Sequence, residues 1–286
     1  MNWILGTANF GTKYGIANGN LELDYDDAKT ILDSATRLGI KFLDTAPTYG
    51  HSEAFIGASQ DYYRNFSIMT KTKITSEEGE AKSSVLESLF RLKCEKIHTV
   101  FIHNSSEIAK LNKSRVNEEI SEILDSKVTT FLGASVYDEK EIEYIYTSFP
   151  GVTAFQVPEN ILDQRLLNST LVRSLAKSGI KFYVRSVLLQ GLITMDSENV
   201  PINFEGASKA IKQIEEIAKM QSTTVLKLAL SYLNLLSWSS GFLIGTGSAR
   251  QLETFVSAHK ANEVLSILPD PLPLELVDPR RWSHVG

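Results

Sequence analysis

Four groups able to do carbonyl chemistry stand at the ends of short apolar runs: Asp44 closing IKFLD, Tyr49 in the following APTYG, Lys71 in IMTKTK and His103 in VFIHN. When a carbonyl accepts hydride its oxygen gains negative charge, so a site for that reaction must donate a proton and stabilise an oxyanion. A phenol supplies the proton when a neighbouring cation eases its ionisation, which pairs Tyr49 with Lys71. An ammonium held in a buried cleft needs a counterion, and Asp44, one strand away, can serve. A neutral imidazole at His103 would donate a hydrogen bond to the same oxygen. Each residue alone has an ordinary structural use, as turn former, packing ring, solvated strand end or satisfied histidine. Their occurrence at successive strand ends carries the chemical reading.

The elements that must position these groups alternate along the whole chain. Strands are expected at Trp3 to Ala8, Ile40 to Leu43, Phe66 to Met69, His98 to Ile102, Val128 to Leu132, Val152 to Val157, Ile180 to Val184 and Gly241 to Ile244. Amphipathic helices lie between them. The first carries Ala28, Ile31, Leu32, Ala35 and Leu38, with Asp24 as N-cap and Gly39 as the stop. A helix restarts after Tyr49 with Ser52 as its cap. Others carry Val85, Leu86, Leu89 and Leu92, run over Val116 to Leu124, Glu139 to Tyr146 and Leu166 to Ala176, and form one long stretch from Ala207 to Leu236. Eight such units with right-handed crossovers close most simply into a (β/α)8 TIM barrel, an α/β fold, although an open doubly wound sheet shows the same alternation. The barrel is favoured because Asp44, Lys71 and His103 then gather at the C-terminal ends of the strands, where barrel sites form.

The run FLIGTGSARQL, residues 242–252, reads as strand, glycine turn and helix N-terminus, which is an anion site by construction. Gly245, Gly247 and a capping Ser248 would cradle a phosphate of a cofactor lying across the barrel mouth, with Arg250 and Gln251 as side-chain donors. Gln251 three residues after Ser248 makes a capping box.

Composition excludes several other functions. The 286 residues fit one barrel domain, which needs roughly 250 residues, with 268–286 as a C-terminal tail over or beside the mouth. A net charge of −5, from 29 basic and 34 acidic side chains spread along the chain, gives no general attraction to nucleic acid or anionic lipid. With Cys94 as the one cysteine no intrachain disulfide forms, and no run approaches the ~20 apolar residues of a membrane span. No basic and apolar leader precedes Trp3, so a cytoplasmic, unexported protein is expected. No His, Cys and carboxylate cluster has metal-ligand spacing, and neither a Gly-x-Ser-x-Gly elbow nor a Walker-type loop is present. The partner is therefore expected to be a small molecule. His51, Tyr14 and Trp282 are candidate lining residues, while His98 begins a strand at the opposite end, and spacing reveals no partner for His259 or His284.

The segment DTAPTYGHSEAFIG closely resembles the aldo-keto reductase signature, an Asp-Thr-Ala-x-x-Tyr-Gly-x-Ser-Glu run followed by Ile-Gly, and the resemblance extends over nearly the whole chain. It implies a (β/α)8 oxidoreductase that uses NADPH, with NADH as an alternative, and neither metal nor flavin. It implies Tyr49 as general acid, Lys71 and Asp44 as the pair that tunes it, and His103 as the group that orients the carbonyl. It further implies cofactor contacts from Thr7, from Ser135 in LGASVY and Gln156 in FQVPEN at the nicotinamide carboxamide, and from Ser186, Leu188 and Gln190 in YVRSVLLQGLI near the pyrophosphate. The chain departs from the family at Val136, where asparagine is common, and at Arg185, where many members stack an aromatic ring on the nicotinamide, so that Arg185 is expected among the cofactor contacts. It departs again at Gly247, Thr254 and Phe255 near the adenosine, while Arg250 remains able to meet a 2′-phosphate. With Trp3 already in the first strand, no hairpin is expected to close the barrel's base. Two other functions stay open on the same barrel: a cofactor-sensing regulatory protein, suggested by Arg185 and the altered adenosine end, and a Schiff-base lyase using Lys71 as nucleophile.

Overall fold

A computed structural model describes residues 2–17, 22–59, 65–260, 265 and 267–282. Eight parallel strands close into a barrel in sequence order, β1 Trp3–Gly6, β2 Phe42–Asp44, β3 Ser67–Thr72, β4 Ile97–Ile102, β5 Thr129–Ser135, β6 Val152–Pro158, β7 Lys181–Arg185 and β8 Gly241–Gly245, with β8 pairing back onto β1. The open-sheet alternative is thereby excluded. The strands are apolar on both faces because one face fills the barrel and the other meets the helices. Ile4, Met69, Phe101, Ala154, Tyr183 and Leu243, with Phe42 against them, form the interior cluster. Their chain neighbours Trp3, Leu5, Val100, Ile102, Phe182, Val184, Phe242 and Ile244 belong to the outer core under the helices. This is the two-residue alternation of a strand. On β5 the interior position is Gly133, where a Cβ would come 2.6 Å from the Phe101 ring, so the glycine makes room for that ring in the barrel.

The helices that cover the barrel include α1 Tyr25–Arg37, α2 Ser52–Ala58, α3 Glu80–Leu92, α4 Ser105–Ile108, α5 Lys113–Asp125, α6 Glu139–Ser148, α7 Thr170–Lys177, α8 Glu205–Met220, α9 Val225–Tyr232, α10 Ala249–Lys260 and α11 Leu274–Val277. Asp24 caps α1 as expected, accepting from the Asp27 N–H at 2.9 Å, and Gly39 follows its end with φ of +76°. Several expectations are corrected: β1 ends at Gly6, with Ala8 opening a 3-10 turn, and the helix expected from Leu166 begins at Thr170 behind a Ser169 cap. Ser52 is the first residue of α2 and His51 its N-cap, because the Ser52 hydroxyl turns inward to Thr7. The long helix from Ala207 to Leu236 is two helices, broken where Ser222 takes φ of +53° and Thr224 caps α9. Leu86 faces outward and is 45% exposed, since it falls off the stripe made by Val85, Leu89 and Leu92. Finally, β3 and β5 run three residues further than their apolar cores suggest, because polar Thr70, Lys71 and Ser135 keep the ladder pairing.

The tail packs on the barrel: the Leu272 N–H donates to the Leu162 carbonyl at 2.8 Å, Asp278 is buried, and Trp282 stands edge-on to Phe204 at 4.9 Å. His284 lies outside the described residues, as does part of the loop that follows β1.

Candidate active site

Because the strand period is two, the residue two places beyond each interior core residue also points into the barrel, one layer nearer the mouth. That rule turns Phe42 into Asp44, Met69 into Lys71, Phe101 into His103, Gly133 into Ser135, Ala154 into Gln156 and Tyr183 into Arg185. All six line one cavity of about 350 Å³ at the C-terminal ends of the strands. On β1 and β8 the same step gives Gly6 and Gly245, which line it too. A polar layer therefore rests on an apolar one, with two side-chain-free positions opening the side next to β1.

Lys71 Nζ donates to Asp44 Oδ2 at 2.7 Å and to the Thr45 carbonyl at 2.9 Å, and it lies 4.8 Å from the centroid of the Tyr49 ring. Both side chains of the ion pair are almost completely buried, at 3% and 5% exposure. Burial works against the ammonium, but the Asp44 carboxylate and Tyr49 outweigh it and hold the Lys71 pKa above the ordinary lysine value. The other Asp44 oxygen, Oδ1, accepts from Gln156 Nε2 at 2.7 Å. Gln156 is thus partly committed to the ion pair, and its carbonyl oxygen remains for a ligand. It sits in register beside Ser135, whose own carbonyl accepts from the Ser105 hydroxyl.

Tyr49 is carried by a turn that Gly50 makes possible. Gly50 has φ of +53°, and a Cβ there would lie 1.9 Å from the Gly11 carbonyl oxygen. Beneath the turn, Ser52 donates to Thr7 Oγ1 at 2.7 Å and lies 3.0 Å from Thr45 Oγ1, while Thr7 donates to the Asp44 carbonyl at 2.9 Å. The Thr7 hydroxyl is therefore engaged in holding the β1 and β2 ends together, although the residue lines the cavity. Glu53, the acidic residue of the same segment, is buried and accepts from Thr70 at 2.6 Å and from Arg91 at 2.8 Å. It anchors α2 rather than facing the cavity.

His103 follows β4, its N–H donating to the Thr72 carbonyl at 2.7 Å. Burial, with the cations Lys71, Arg185 and Lys73 nearby, pushes its pKa down to about 4, so the imidazole is neutral across the physiological range. The folded value lies below the unfolded value of 6.5, so folding disfavours protonation: the stability from this site is complete above pH 6.5 and is lost as the pH falls toward 4. Between pH 7.5 and 4.5 we expect the wild type to lose roughly 2–3 kcal/mol more than His103→Gln, measured as urea midpoints. Equal losses in both proteins would remove His103 as the source.

Of the other anticipated residues, Tyr14, Ser186, Leu188, Gln190 and Gln251 line the cavity, and so does Pro279 from the tail. Gly247, Ser248 and Arg250 do not. The expected phosphate cradle is closed by its own side chains: Gly247 N–H donates to Gln251 Oε1 at 2.7 Å, Ser248 N–H to Thr246 Oγ1 at 3.2 Å, and Gln251 N–H to Ser248 Oγ at 3.2 Å. Ser248 caps the helix as expected, but Gln251 reaches one residue further back than in a standard capping box. A phosphate here would replace the Gln251 side chain as the partner of the Gly247 N–H. His51 stacks on Phe55 at 5.8 Å outside the cavity, and Trp282 lies against Phe204. His98 is ringed by Phe42 and Phe131 at the far end, and His259 meets Trp3 and Asn234.

Sequence reasoning missed three residues that shape the site. Tyr137 lies under the Arg185 guanidinium, 4.2 Å from Cζ to the ring centroid. Asn160 donates to the Ser186 carbonyl at 3.0 Å, and Ser186 itself has φ of +60°. Glu159 accepts from Tyr232 at 2.5 Å and from the Leu166 N–H at 2.9 Å, its pKa pushed up by burial to about 8. Asn160 and Glu159 fasten the β6 and β7 ends behind Arg185. The two-residue step from the interior core was the available signal for Arg185 itself; nothing local distinguishes Glu159 or Asn160.

Residues 3–266 match the model of the Aldo/keto reductase family. The chain is 27% identical over 254 residues to L-galactose dehydrogenase of Arabidopsis thaliana, covering 82% of this chain and 78% of that one. It is 25% identical to the uncharacterized oxidoreductase YqkF of Bacillus subtilis, covering 91% of each. Among solved structures, a Pseudomonas aeruginosa protein, PA4992, assigned to the aldo-keto reductases, superposes with a TM-score of 0.68 at 18% identity, over 91% of this chain and 90% of that one, which bears on the fold alone. No helix among the described residues is long and apolar enough to cross a membrane, and no group of three metal-ligating side chains occurs among them.

Proposed function

The chain belongs to the aldo/keto reductase family of oxidoreductases, and from that premise we propose that it reduces an aldehyde, ketone or sugar-like carbonyl to the alcohol, using NADPH and Tyr49 as general acid. One observation carries the reading: the buried Asp44 and Lys71 pair lies against Tyr49 in the same cavity as a neutral His103. The Lys71 ammonium stabilises negative charge that appears on the phenol as its proton leaves, and Asp44 keeps that ammonium charged and fixed. His103, being neutral, has a ring N–H to give to the carbonyl oxygen and adds no second cation of its own. The name of the plant relative, L-galactose dehydrogenase, favours a sugar-like substrate within the class.

A nicotinamide nucleotide would supply the hydride. Ser135 and Gln156, side by side on β5 and β6, suit its carboxamide, and the exposed Arg250 at the α10 N-terminus suits a phosphate that displaces Gln251 from the Gly247 N–H. Calorimetric titration tests this directly. NADPH should bind, and more tightly than NADH by about tenfold if Arg250 meets the 2′-phosphate, a gap that Arg250→Ala closes. Failure of both nucleotides to bind would overturn the cofactor assignment. The raised pKa and two strong partners of Lys71 count against an amine nucleophile, which must be neutral to attack.

A further inference from the structure

Among the described residues Arg185 is the one cation of the cavity lining to which the carbonyl chemistry gives no part, and it was expected at the cofactor. Elsewhere on the barrel the half-buried arginines have carboxylates, Arg91 with Glu53 at 2.8 Å, Arg115 with Glu119 at 2.6 Å and Arg165 with Asp163 at 2.7 Å, and so does the more exposed Arg280, with Asp278 at 2.7 Å. Arg185 has no such partner among the described residues. Its Nη1 and Nη2 make contacts of 3.4 Å each, to Ser186 Oγ and the Val136 carbonyl, and its Nε is buried without a partner. Both Nη contacts are long for a charged donor, and neither acceptor carries charge.

The surroundings keep that charge in place without a direct partner: the one carboxylate outside the cavity lining that it is seen to act on, Asp163, is already bound by Arg165 at 2.7 Å. Tyr137 supports the guanidinium from below, and the second cation on that ring, Arg280, is satisfied by Asp278 and by Glu141 at 3.0 Å. Of the charged side chains that line the cavity among the described residues, Lys71 and Asp44 neutralise each other, which leaves Arg185 as a net charge of plus one. Its field reaches the neutral His103 and helps to keep it unprotonated. A guanidinium half removed from water without a counterion is desolvated at a cost that a bound anion would offset.

We propose that Arg185 determines substrate class: it seats a carboxylate of the carbonyl substrate on its guanidinium while the carbonyl faces Tyr49 and His103. The inference rests on the carbonyl-reductase reading for its chemistry, but the anion site is testable without turnover. A planar fork of N–H donors matches a carboxylate in two parallel hydrogen bonds, which a lysine in the same place would not provide.

Two probes that differ in one charge make the test, 4-carboxybenzaldehyde and methyl 4-formylbenzoate, with binding measured by calorimetry and turnover measured with NADPH. The wild type should bind the carboxylate more tightly than the ester by about 10- to 100-fold. Arg185→Gln should bring that ratio to near one, and Arg185→Lys should restore part of it. The lysine variant keeps a cation in place should the glutamine variant loosen the fold, which circular dichroism would show. A wild-type ratio near one, or a ratio that survives in Arg185→Gln, overturns the proposal. So does a tenfold fall in NADPH affinity with the ratio intact, which would assign the guanidinium to a cofactor phosphate. If the carboxylate preference depends on Arg185 yet neither aldehyde is reduced with either nucleotide, the anion site stands and the reductase reading falls.

Discussion

Tyr49→Phe should lower kcat for any carbonyl substrate by about 10²–10⁴-fold while leaving nucleotide affinity and the unfolding midpoint close to wild type. The substitution removes one oxygen from a ring carried by the Gly50 turn, and Lys71, which loses its hydrogen bond to that oxygen, keeps Asp44 and the Thr45 carbonyl. The loss must then appear in the chemical step, measured by single-turnover mixing of protein and nucleotide with substrate. A second phenol, Tyr14, enters the same mouth and supplies the control. Tyr14 as a residue is 41% exposed, but its hydroxyl end is enclosed, and burial together with the neighbouring Tyr49 raises its pKa, which makes it a poor proton donor. Tyr14→Phe should therefore cost little in kcat. Full turnover by Tyr49→Phe, or a greater loss from Tyr14→Phe, would remove Tyr49 as the acid.

Lys71→Met should destabilise the fold by about 3–5 kcal/mol and abolish turnover, because it strands a buried carboxylate. Asp44 would keep only the Gln156 amide at 2.7 Å, with its side chain 5% exposed and the Lys71 charge gone. The double variant Asp44→Asn with Lys71→Met should recover much of the stability and none of the activity, since a neutral pair of similar size no longer carries an uncompensated charge. Urea unfolding separates the cases. A single variant within 1 kcal/mol of wild type would mean that water reaches Asp44 and that the pair is not the closed unit described.

The same pair shows how far residue order reached. Apolar runs of strand length, the polar residue closing each and the helical stripes between them are local properties, so eight units, the barrel and the four catalytic candidates could be read from the chain. The limits of β3 and β5 could not, because Lys71 and Ser135 stay in the ladder through pairing with neighbouring strands. Ser52 was misread for a related reason. A serine before a helical run is usually a cap, but here its hydroxyl is drawn inward by Thr7, 45 residues away in sequence.

What the sequence by itself determined is chemistry and order: which groups exist, and that Asp44, Lys71, His103, Gln156 and Arg185 stand within or just beyond the C-terminal ends of apolar runs. What the tertiary structure alone decided is partnership. Closure of the barrel brought Asp44 to Lys71 and Gln156, folded Gln251 onto the Gly247 N–H, and left Arg185 with no carboxylate among the described residues. The physical reason is range: strand alternation repeats within a few residues, whereas hydrogen bonds and ion pairs act over about 3–4 Å between strands far apart in the chain, and only the register of the closed sheet sets those distances.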